Sequence, residues 1–334
     1  MGQTSLTSAL RHAAVRAVLA PSVHNTQPWR LVLGPARLEV HADWSRWLPA
    51  LDGHGRQLLL SCGCALLNAR CSLAAAGLPV RVDRFPDPLR PLLLATIVVL
   101  EESSSAHQEA EADPAAHHDA DADPATDADL AGLDAAVEDR RTNRTRFDGE
   151  PPPAELLDRL VDVATHHGVE LLPLTERQAR SAAQLSRVAD KVADATPGYR
   201  HELRAWTEGN AGRRDGVSGD GVLRTRPRVD THGMGWLPAF TGAGALLVLG
   251  TRHDSQAAWL QAGEALERVL LTVTAAGLAV STLSQVVEVD ETNNRLRREL
   301  GLTVHPQVLL RVGRARSVPS TRRRRLVDVL SEAG

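Results

Sequence analysis

The sequence predicts an α+β protein in which one half-domain occurs twice. Helix candidates and strand candidates are interspersed over residues 1–100 and again over residues 131–334. The segments 60–80 and 260–280 align at an offset of 200 with nine identities in 21 positions, including the pairs Gly63/Gly263 and Gly77/Gly277. Similarity at a fixed offset indicates a repeated structural unit.

The first 100 residues predict two helices and three strands. Residues 4–19 have helical character, and residues 30–33 and 38–41 predict a strand pair around Gly34 and Pro35. Residues 56–76 predict a long helix that ends at Gly77, because glycine readily adopts the left-handed conformation that follows a helix C terminus. The apolar run 90–100 predicts a buried strand.

Residues 101–130 predict an acidic linker. This segment has ten acidic residues, no Lys or Arg, and a composition dominated by Ala, Asp, Pro, Ser and His. Such a composition cannot bury enough apolar surface to become ordered. Adventitious metal binding by His107, His117 and His118 is an alternative, but a solvated linker is favoured.

Residues 131–334 predict a second half-domain. The helix candidates are residues 133–140, 154–163, 178–195, 201–206 and 256–276, and the strand candidates are residues 169–174, 245–250 and 307–312. Residues 209–235 hold seven glycines and little periodicity. Because long loops in compact domains are usually functional or disordered, we predict that this segment is a lid.

Composition and charge exclude several classes of protein. The chain has 334 residues, 43% of them hydrophobic, and a net charge of -3, but outside the linker 38 basic residues face 31 acidic ones. This mildly basic balance suits a phosphate-bearing cofactor. Apart from the run Arg322 to Arg325, no cluster of basic residues indicates nucleic-acid binding. Cys62, Cys64 and Cys71 are read as small buried side chains rather than metal ligands. The apolar runs 92–100 and 245–249 are too short to span a bilayer and residues 1–11 lack a signal-peptide core, so we expect no membrane contact and a cytoplasmic protein.

The stretch Ala20–Trp29 reads as a sharp turn that leads into a strand. Pro21 and Pro28 prevent helix from continuing through it. Between them, Ser22, Asn25 and Gln27 offer the short polar groups that can hold a flat heteroaromatic ligand by its edge. The alternative from local chemistry alone is an ordinary capped turn followed by a buried tryptophan.

Two arginine-rich stretches are candidates for phosphate binding. Arg140-Arg141-Thr142-Asn143-Arg144 is followed by Phe147, and Arg322 to Arg325 form a run near the C terminus. Guanidinium groups pair bidentately with phosphate and remain charged, so these stretches suit a phosphate. A solvated basic turn is the alternative for residues 140–144.

Both candidate sites resemble motifs of the nitroreductase family of FMN-dependent oxidoreductases. Residues 20–29 match its A-P-S-x-x-N-x-Q-P-W turn, and residues 140–147 are similar to its R-R-S-x-R-x-F motif, with Thr142 in place of Ser. The resemblance implies an α+β fold with a central sheet flanked by helices, normally two subunits with FMN between them. The FMN contacts that it implies are Ser22, Asn25, Gln27, Arg140, Arg141, Thr142, Arg144, Gln285, Arg322 and Arg323.

The resemblance also implies a role for each of these positions. The first positions of the arginine motif reach the flavin pyrimidine edge and ribityl chain, and Arg144 reaches the phosphate together with Arg322 and Arg323. Gln285 falls where the family presents groups to the flavin N5 side. His24 is a further candidate neighbour of the ring, although a lone histidine in a turn is more often structural.

Each half retains only one of the two motifs. The first half has the turn but no arginine motif ahead of it, whereas the second has the arginine motif but reads Ala164-Thr165-His166-His167-Gly168 where a turn should follow. In the family one FMN takes these motifs from different subunits. The resemblance therefore narrows to the tandem, Acg-type branch and implies a monomer that acts as a pseudo-dimer with one site.

No catalytic side chains are predicted. The sequence has no H-E-x-x-H, G-x-S-x-G, P-loop or dinucleotide-binding glycine motif, which suits a flavoenzyme whose cofactor carries the hydride. The favoured hypothesis is hydride transfer from NAD(P)H through FMN to a small aromatic or quinone-type acceptor. The alternatives are an Acg-type protein whose lid encloses FMN with little turnover, and a structural pseudo-dimer without flavin.

Overall fold

The structure is a computed structural model that describes residues 3–100, 129–145, 147–207, 212–216 and 244–333. The linker predicted over residues 101–130 lies outside the described residues, except for its last two positions. Of the lid predicted over residues 209–235, only residues 212–216 are described.

The first part of the chain forms two long helices and four strands. These are α1 Gln3–Ala17, β1 Trp29–Leu33, β2 Arg37–Ala42, α2 Arg56–Ala75, β3 Val80–Arg84 and β4 Leu93–Val99. The two predicted helices and the strand pair are present with bounds that differ by three residues or fewer. As predicted, Gly77 follows α2 with a φ of 69°.

The second part repeats this kind of arrangement with more helices. Its elements are α3 Asp134–Asp139, β5 Phe147–Asp148, α4 Ala154–Thr165, β6 Glu170–Pro173, α5 Glu176–Ala195, α6 Tyr199–Thr207, β7 Ala245–Thr251, α7 Gln256–Ala275, β8 Ala279–Leu283, α8 Gln285–Glu288, α9 Asp290–Leu300, β9 His305–Ala315 and β10 Leu330–Glu332. All eight elements predicted for this part are present.

The two halves have the same strand order. In the first sheet the neighbours run β1-β2-β4-β3, and in the second they run β6-β7-β9-β8, with every pair in both runs antiparallel. A long helix connects the second and third strands of each run in chain order: α2 lies between β2 and β3, and α7 between β7 and β8.

The C-terminal strand belongs to the first sheet. β10 pairs in parallel with β1, with Leu330 opposite Leu31, so the chain returns from the second half to complete the sheet of the first. This parallel pair makes the first sheet mixed. The predicted α+β class, with mixed sheets flanked by helices, is confirmed.

The long helices α2 and α7 cross where their glycines meet. A Cβ added at Gly63 would lie 2.1 Å from Leu260 O, and one added at Gly263 would lie 2.2 Å from Leu60 O. The two contacts are reciprocal at the 200-residue offset of the sequence similarity. Both helices are buried along most of their length, and one apolar cluster takes residues from both sheets and both helices.

Other properties of the core follow from these helices. Within the described part of the chain, α2 is the helix long and apolar enough to cross a membrane, and 89% of the apolar stretch is buried in the protein. Cys62, Cys64 and Cys71 all lie on it, and burial raises the pKa of each thiol. No group of three metal-ligating side chains occurs among the described residues.

Candidate functional site

The turn between α1 and β1 has an unusual backbone. His24, Asn25 and Gln27 have φ values of 44°, 55° and 52°, in the left-handed region that residues with a Cβ rarely adopt. Each such residue costs about 1–3 kcal/mol and persists only where the surroundings hold it. Ser22 Oγ accepts a hydrogen bond from Gln27 N at 2.9 Å, and Trp29 is fully buried beneath the turn.

The side chains of Asn25 and Gln27 hold this turn against two other segments. Asn25 Nδ2 donates to Gly216 O at 2.9 Å and to Arg322 O at 3.0 Å. Gln27 Nε2 donates to Arg214 O at 3.0 Å, and Gln27 Oε1 accepts from Arg324 N at 2.7 Å. Both amides are buried, so they need such partners. The sequence predicted these two residues as flavin contacts, but here their amide groups bond to the backbone.

The arginine motif lies along β8. Thr142 forms a parallel bridge with Val280, and Asn143 N donates to Val280 O at 2.8 Å. Asn143, which the sequence did not single out, is buried and donates through Nδ2 to Arg316 O at 2.6 Å. These bonds fix the backbone from which Arg140, Arg141 and Arg144 extend.

Arg140 and Arg144 occupy different surroundings. Arg140 is 4% exposed, and its Nε lies 3.4 Å from Glu267 Oε1 on α7. Arg144 has an exposed side chain, yet the surrounding protein lowers its pKa through desolvation.

The C-terminal arginines join the turn to the arginine motif. Burial and the positive charge of Arg140 lower the pKa of Arg323 to about 9, with a smaller effect from Arg141. Arg324 donates through its side chain to Gln27 O at 3.2 Å. Arg322 has an exposed side chain, and its carbonyl accepts the bond from Asn25.

The charges around Arg323 come from the first positions of the arginine motif. Arg140, Glu267 and Arg141 act on Arg323. Arg140 points toward α7 and the C-terminal segment, whereas Arg144 lies beyond the bridge to β8. The phosphate contact that the resemblance implies for Arg144 stays a prediction.

Gln285 lies on another side of the turn. It is the first residue of α8, and its Nε2 donates to the Tyr199 hydroxyl at 2.7 Å. Tyr199 packs in an apolar cluster with Leu48 and Leu51, and Val23 of the turn packs against the same cluster. Gln285 is thus linked to the turn through this cluster.

The sequence did not predict Glu267 as a site residue. It is fully buried on α7, and neither of its carboxylate oxygens accepts a hydrogen bond from the described residues. Burial raises its pKa to about 7, and the charges of Arg140 and Arg323 limit that rise. A carboxylate within a long apolar helix was the signal in the sequence that could have identified it.

Buried guanidinium donors at this place suit an anion. The Nε atoms of Arg140 and Arg323 are both buried and lack hydrogen-bond partners in the part of the chain that the structure describes. Unsatisfied buried donors are costly, and a phosphate oxygen is a strong, charge-assisted acceptor for them. The donor set therefore fits a phosphate-bearing cofactor such as FMN.

A basic cleft lies beside the turn. Its volume is about 600 Å³, and it is lined by Gly212, Arg213, Arg214, Asp215, Arg324, Arg325 and Asp328. Arg325 pairs with Asp328 and Arg213 with Asp215. The lining therefore holds more positive than negative side chains.

Comparison with known proteins identifies the family. The sequence profile of the nitroreductase family matches residues 137–314. A putative NAD(P)H nitroreductase of Mycobacterium tuberculosis strain H37Rv is 35% identical over 96% of this chain and 90% of its own length. The putative NAD(P)H nitroreductase Acg of the same strain is 31% identical over 97% of this chain and 95% of its own length.

Solved structures with a similar fold include two nitroreductases. The FMN- and NADPH-dependent nitroreductase NfnB of Sphigopyxis sp. strain HMH is 21% identical, with a TM-score of 0.46, and the match covers 60% of this chain and 99% of that one. A Bacteroides fragilis nitroreductase with bound FMN is 14% identical, with a TM-score of 0.39, over 58% of this chain and 94% of that one. On the profile match and the two full-length relatives, the chain belongs to the nitroreductase family.

Proposed function

We propose that this chain binds FMN between the turn 20–29 and the arginine motif 140–144, and transfers hydride from NAD(P)H to a small aromatic or quinone-type acceptor. Family membership supports the reaction class, and the names of the relatives support NAD(P)H as the donor. The observation that carries the proposal is the convergence of Arg140 and Arg323, each with a buried Nε that has no hydrogen-bond partner among the described residues, although Arg140 Nε lies near the Glu267 carboxylate.

In this proposal the phosphate lies beside Arg140, Arg141 and Arg323, and Arg144 extends toward the ring. When bound, FMN supplies the hydride chemistry, and the protein supplies binding and orientation. In this proposal the exposed guanidinium of Arg144 stabilises negative charge at the edge of a reduced ring. The basic cleft beside Gln27 suits the phosphates of NAD(P)H.

The site draws on both halves of one chain. The turn lies in the first half, whereas the arginine motif and Arg323 lie in the second. We therefore infer that a monomer is sufficient for FMN binding. The two halves of the chain take the place of the two subunits of a dimer.

Titration of FMN fluorescence tests this proposal. Each of Arg140→Ala and Arg144→Ala removes a charge-assisted contact of about 1.5–3 kcal/mol, so FMN affinity should fall roughly ten- to a hundred-fold. Arg298→Ala serves as the control, because Arg298 is an exposed arginine on α9. FMN affinity that is unchanged in both site variants would show that the site is elsewhere.

A second candidate function is sequestration of FMN with little turnover, and one contact favours it. Residues 212–216 of the predicted lid pack on the turn: Asn25 O accepts from Gly216 N at 3.2 Å, and Arg46 pairs with Asp215. The guanidinium of Arg213 lies over the Trp206 ring at 5.1 Å. Trp206 and Trp236 flank the glycine-rich segment, and the sequence makes them candidates to clamp its two ends, but Trp236 lies outside the described residues.

Weakening this contact separates the two functions. Asp215→Ala removes the ion pair with Arg46 and the one with Arg213. If the segment limits access, NAD(P)H should bleach the bound flavin faster in this variant, with FMN affinity retained. Asp83→Ala, which removes an exposed pair with Arg81 on β3, is the control. Fast bleaching of the unaltered protein would argue against sequestration.

A further inference from the structure

Glu267 stands at the inner end of the proposed phosphate site. It lies in the middle of α7 and has no exposed surface. One of its oxygens is 3.4 Å from Arg140 Nε, outside hydrogen-bonding geometry, and neither oxygen accepts a hydrogen bond from any described group. A buried carboxylate that accepts no hydrogen bond and has one ion pair outside hydrogen-bonding geometry costs free energy to keep ionised.

Three elements present charged or titratable groups to Glu267. The arginine motif supplies Arg140 and the C-terminal segment supplies Arg323, which are its two positive neighbours. Helix α2 supplies Cys64 and Cys71, whose thiols are neutral because burial raises their pKa, and the amide of Asn68, which adds a small lowering of the Glu267 pKa to that of the arginines. Glu267 therefore depends on two arginines for its charge compensation.

A phosphate needs the same two arginines. A phosphate monoester carries close to two negative charges at neutral pH and forms its strongest bonds with guanidinium groups. Once it occupies the arginines, an ionised Glu267 would face a second anion across the same two cations. Like charges at close range favour protonation of the weaker acid, which here is the buried carboxyl.

We propose that Glu267 takes up a proton when a phosphate monoester binds at Arg140 and Arg323, and releases it when the phosphate leaves. The proton comes from the solvent and adds to the carboxylate, which then becomes a hydrogen-bond donor for the buried site. This inference rests on the proposed binding of FMN. It explains how a buried carboxylate and a phosphate can lie beside the same two arginines.

The charge state of the free protein is suited to such uptake. Burial holds the pKa of Glu267 at about 7, so the carboxyl is largely ionised one pH unit above neutrality and largely protonated one unit below. A bound phosphate raises the pKa further. FMN affinity should therefore be highest below pH 7 and decline above it, by up to about tenfold per pH unit.

Calorimetry measures the proton directly. FMN is titrated into the protein at about pH 8 in two buffers with different ionisation enthalpies, and the difference in heat gives the number of protons taken up. We expect about one proton per FMN, because at this pH the phosphate itself is already a dianion. This measurement uses the unaltered protein and does not depend on whether a variant folds.

Glu267→Gln is the matched variant. Glutamine keeps the shape of a protonated glutamate, so proton uptake should disappear and FMN affinity should lose its decline above pH 7. Glu288→Gln is the control, because Glu288 is also a glutamate whose pKa burial raises, to about 8, but its neighbours are Ser284, Asp52 and Arg56. Proton uptake should persist in that control.

The outcomes separate this inference from the proposed function. FMN binding without proton uptake, or with equal uptake in Glu267→Gln, overturns the role of Glu267 and leaves the proposed function intact. Failure of the unaltered protein to bind FMN overturns both.

Discussion

Glu264 lies one helical turn from Glu267 on α7 and is equally buried, but its carboxylate is fully paired. Arg70 Nη1 donates to it at 2.9 Å, and Arg84 donates through Nε at 2.7 Å and Nη2 at 3.0 Å. Burial alone would raise the pKa of Glu264, but Arg84 and Arg70 more than offset this and lower the pKa to about 2. One turn apart on the same helix, Glu264 is thus always ionised near neutral pH, whereas Glu267 can gain or lose a proton there.

Glu264→Gln should strongly destabilise the fold. The amide cannot compensate two guanidinium groups, and Arg70 is only 2% exposed, so the loss should be about 3–5 kcal/mol in the free energy of unfolding. Denaturant unfolding measures this cost. The control is Asp83→Asn, which breaks an exposed pair with Arg81 and should cost less than about 1 kcal/mol. A Glu264→Gln cost as small as the control's would contradict the pairing.

Residue identities in the turn were predictable, but their partners were not. Asn25 and Gln27 could be identified in the sequence because both are side-chain amides in a short turn between two prolines, where they can hydrogen-bond to a ligand or to other segments. Their partners Gly216, Arg322 and Arg324 lie about 190 to 300 residues away in the chain, as the separations of 191 and 297 show. No local pattern indicates contacts at that range.

At the scale of elements, the crossing of α2 and α7 explains the glycine pair seen in the sequence. The backbones approach so closely that Gly63 Cα and Gly263 lie against each other, with no room for a side chain on either helix. Glycine within a helix costs about 1 kcal/mol relative to alanine, so its presence at both positions has a packing reason.

Gly263→Ala should therefore destabilise the protein although alanine is the better helix former. The added Cβ would lie 2.2 Å from Leu60 O, a backbone atom that can move only if the helices separate. We expect a net loss of about 1–3 kcal/mol or more, seen as a lower unfolding midpoint. Gly53→Ala, whose new Cβ would have its nearest neighbour at 3.9 Å, should change stability little. A stabilised Gly263→Ala variant would rule out the close crossing.

Elements with a clear apolar pattern could be predicted, and elements without one could not. α2 and α7 were predicted because each has 20 residues of mostly apolar sequence. β3 has five residues of which only Val80 and Val82 are apolar, and β8 has the sequence Ala-Val-Ser-Thr-Leu, which does not alternate, so neither segment stands out from a loop. α9 has a polar sequence whose buried face consists of Thr292, Leu296 and Leu300, and these one-per-turn positions were overlooked.

At the scale of the whole molecule, the repeated strand order and the reciprocal glycine contact support descent of both halves from one unit. The place in the second half that corresponds to the turn lies between α4 and β6, at His166 to Gly168. The first turn bonds to α2 through Ser61 Oγ, and a Cβ at Gly168 would lie 3.1 Å from Gln261, the residue 200 positions after Ser61. The two turns thus meet equivalent positions of the two long helices.

Side chains of the protein itself fill the position in the second half that corresponds to the turn. His167 is 5% exposed, and burial lowers its pKa to about 3, with Glu264 as the neighbour that opposes this shift. Arg70 and Arg84 complete the group around Glu264. In this network Arg70 and Arg84 both donate hydrogen bonds to the Glu264 carboxylate, whereas among the described residues neither Arg140 nor Arg323 hydrogen-bonds to a carboxylate.

The chain should therefore bind one FMN rather than two. Flavin released by denaturation and measured against protein concentration should give one FMN per chain, with the protein a monomer by light scattering. Arg140→Ala should reduce this occupancy at limiting FMN, because the single site depends on the arginine motif. If the second place also bound FMN, occupancy would approach two per chain and Arg140→Ala would remove only half of it. That result would mean that the Glu264 network opens to admit a ligand, and the asymmetry inferred from the sequence and the packing would be wrong.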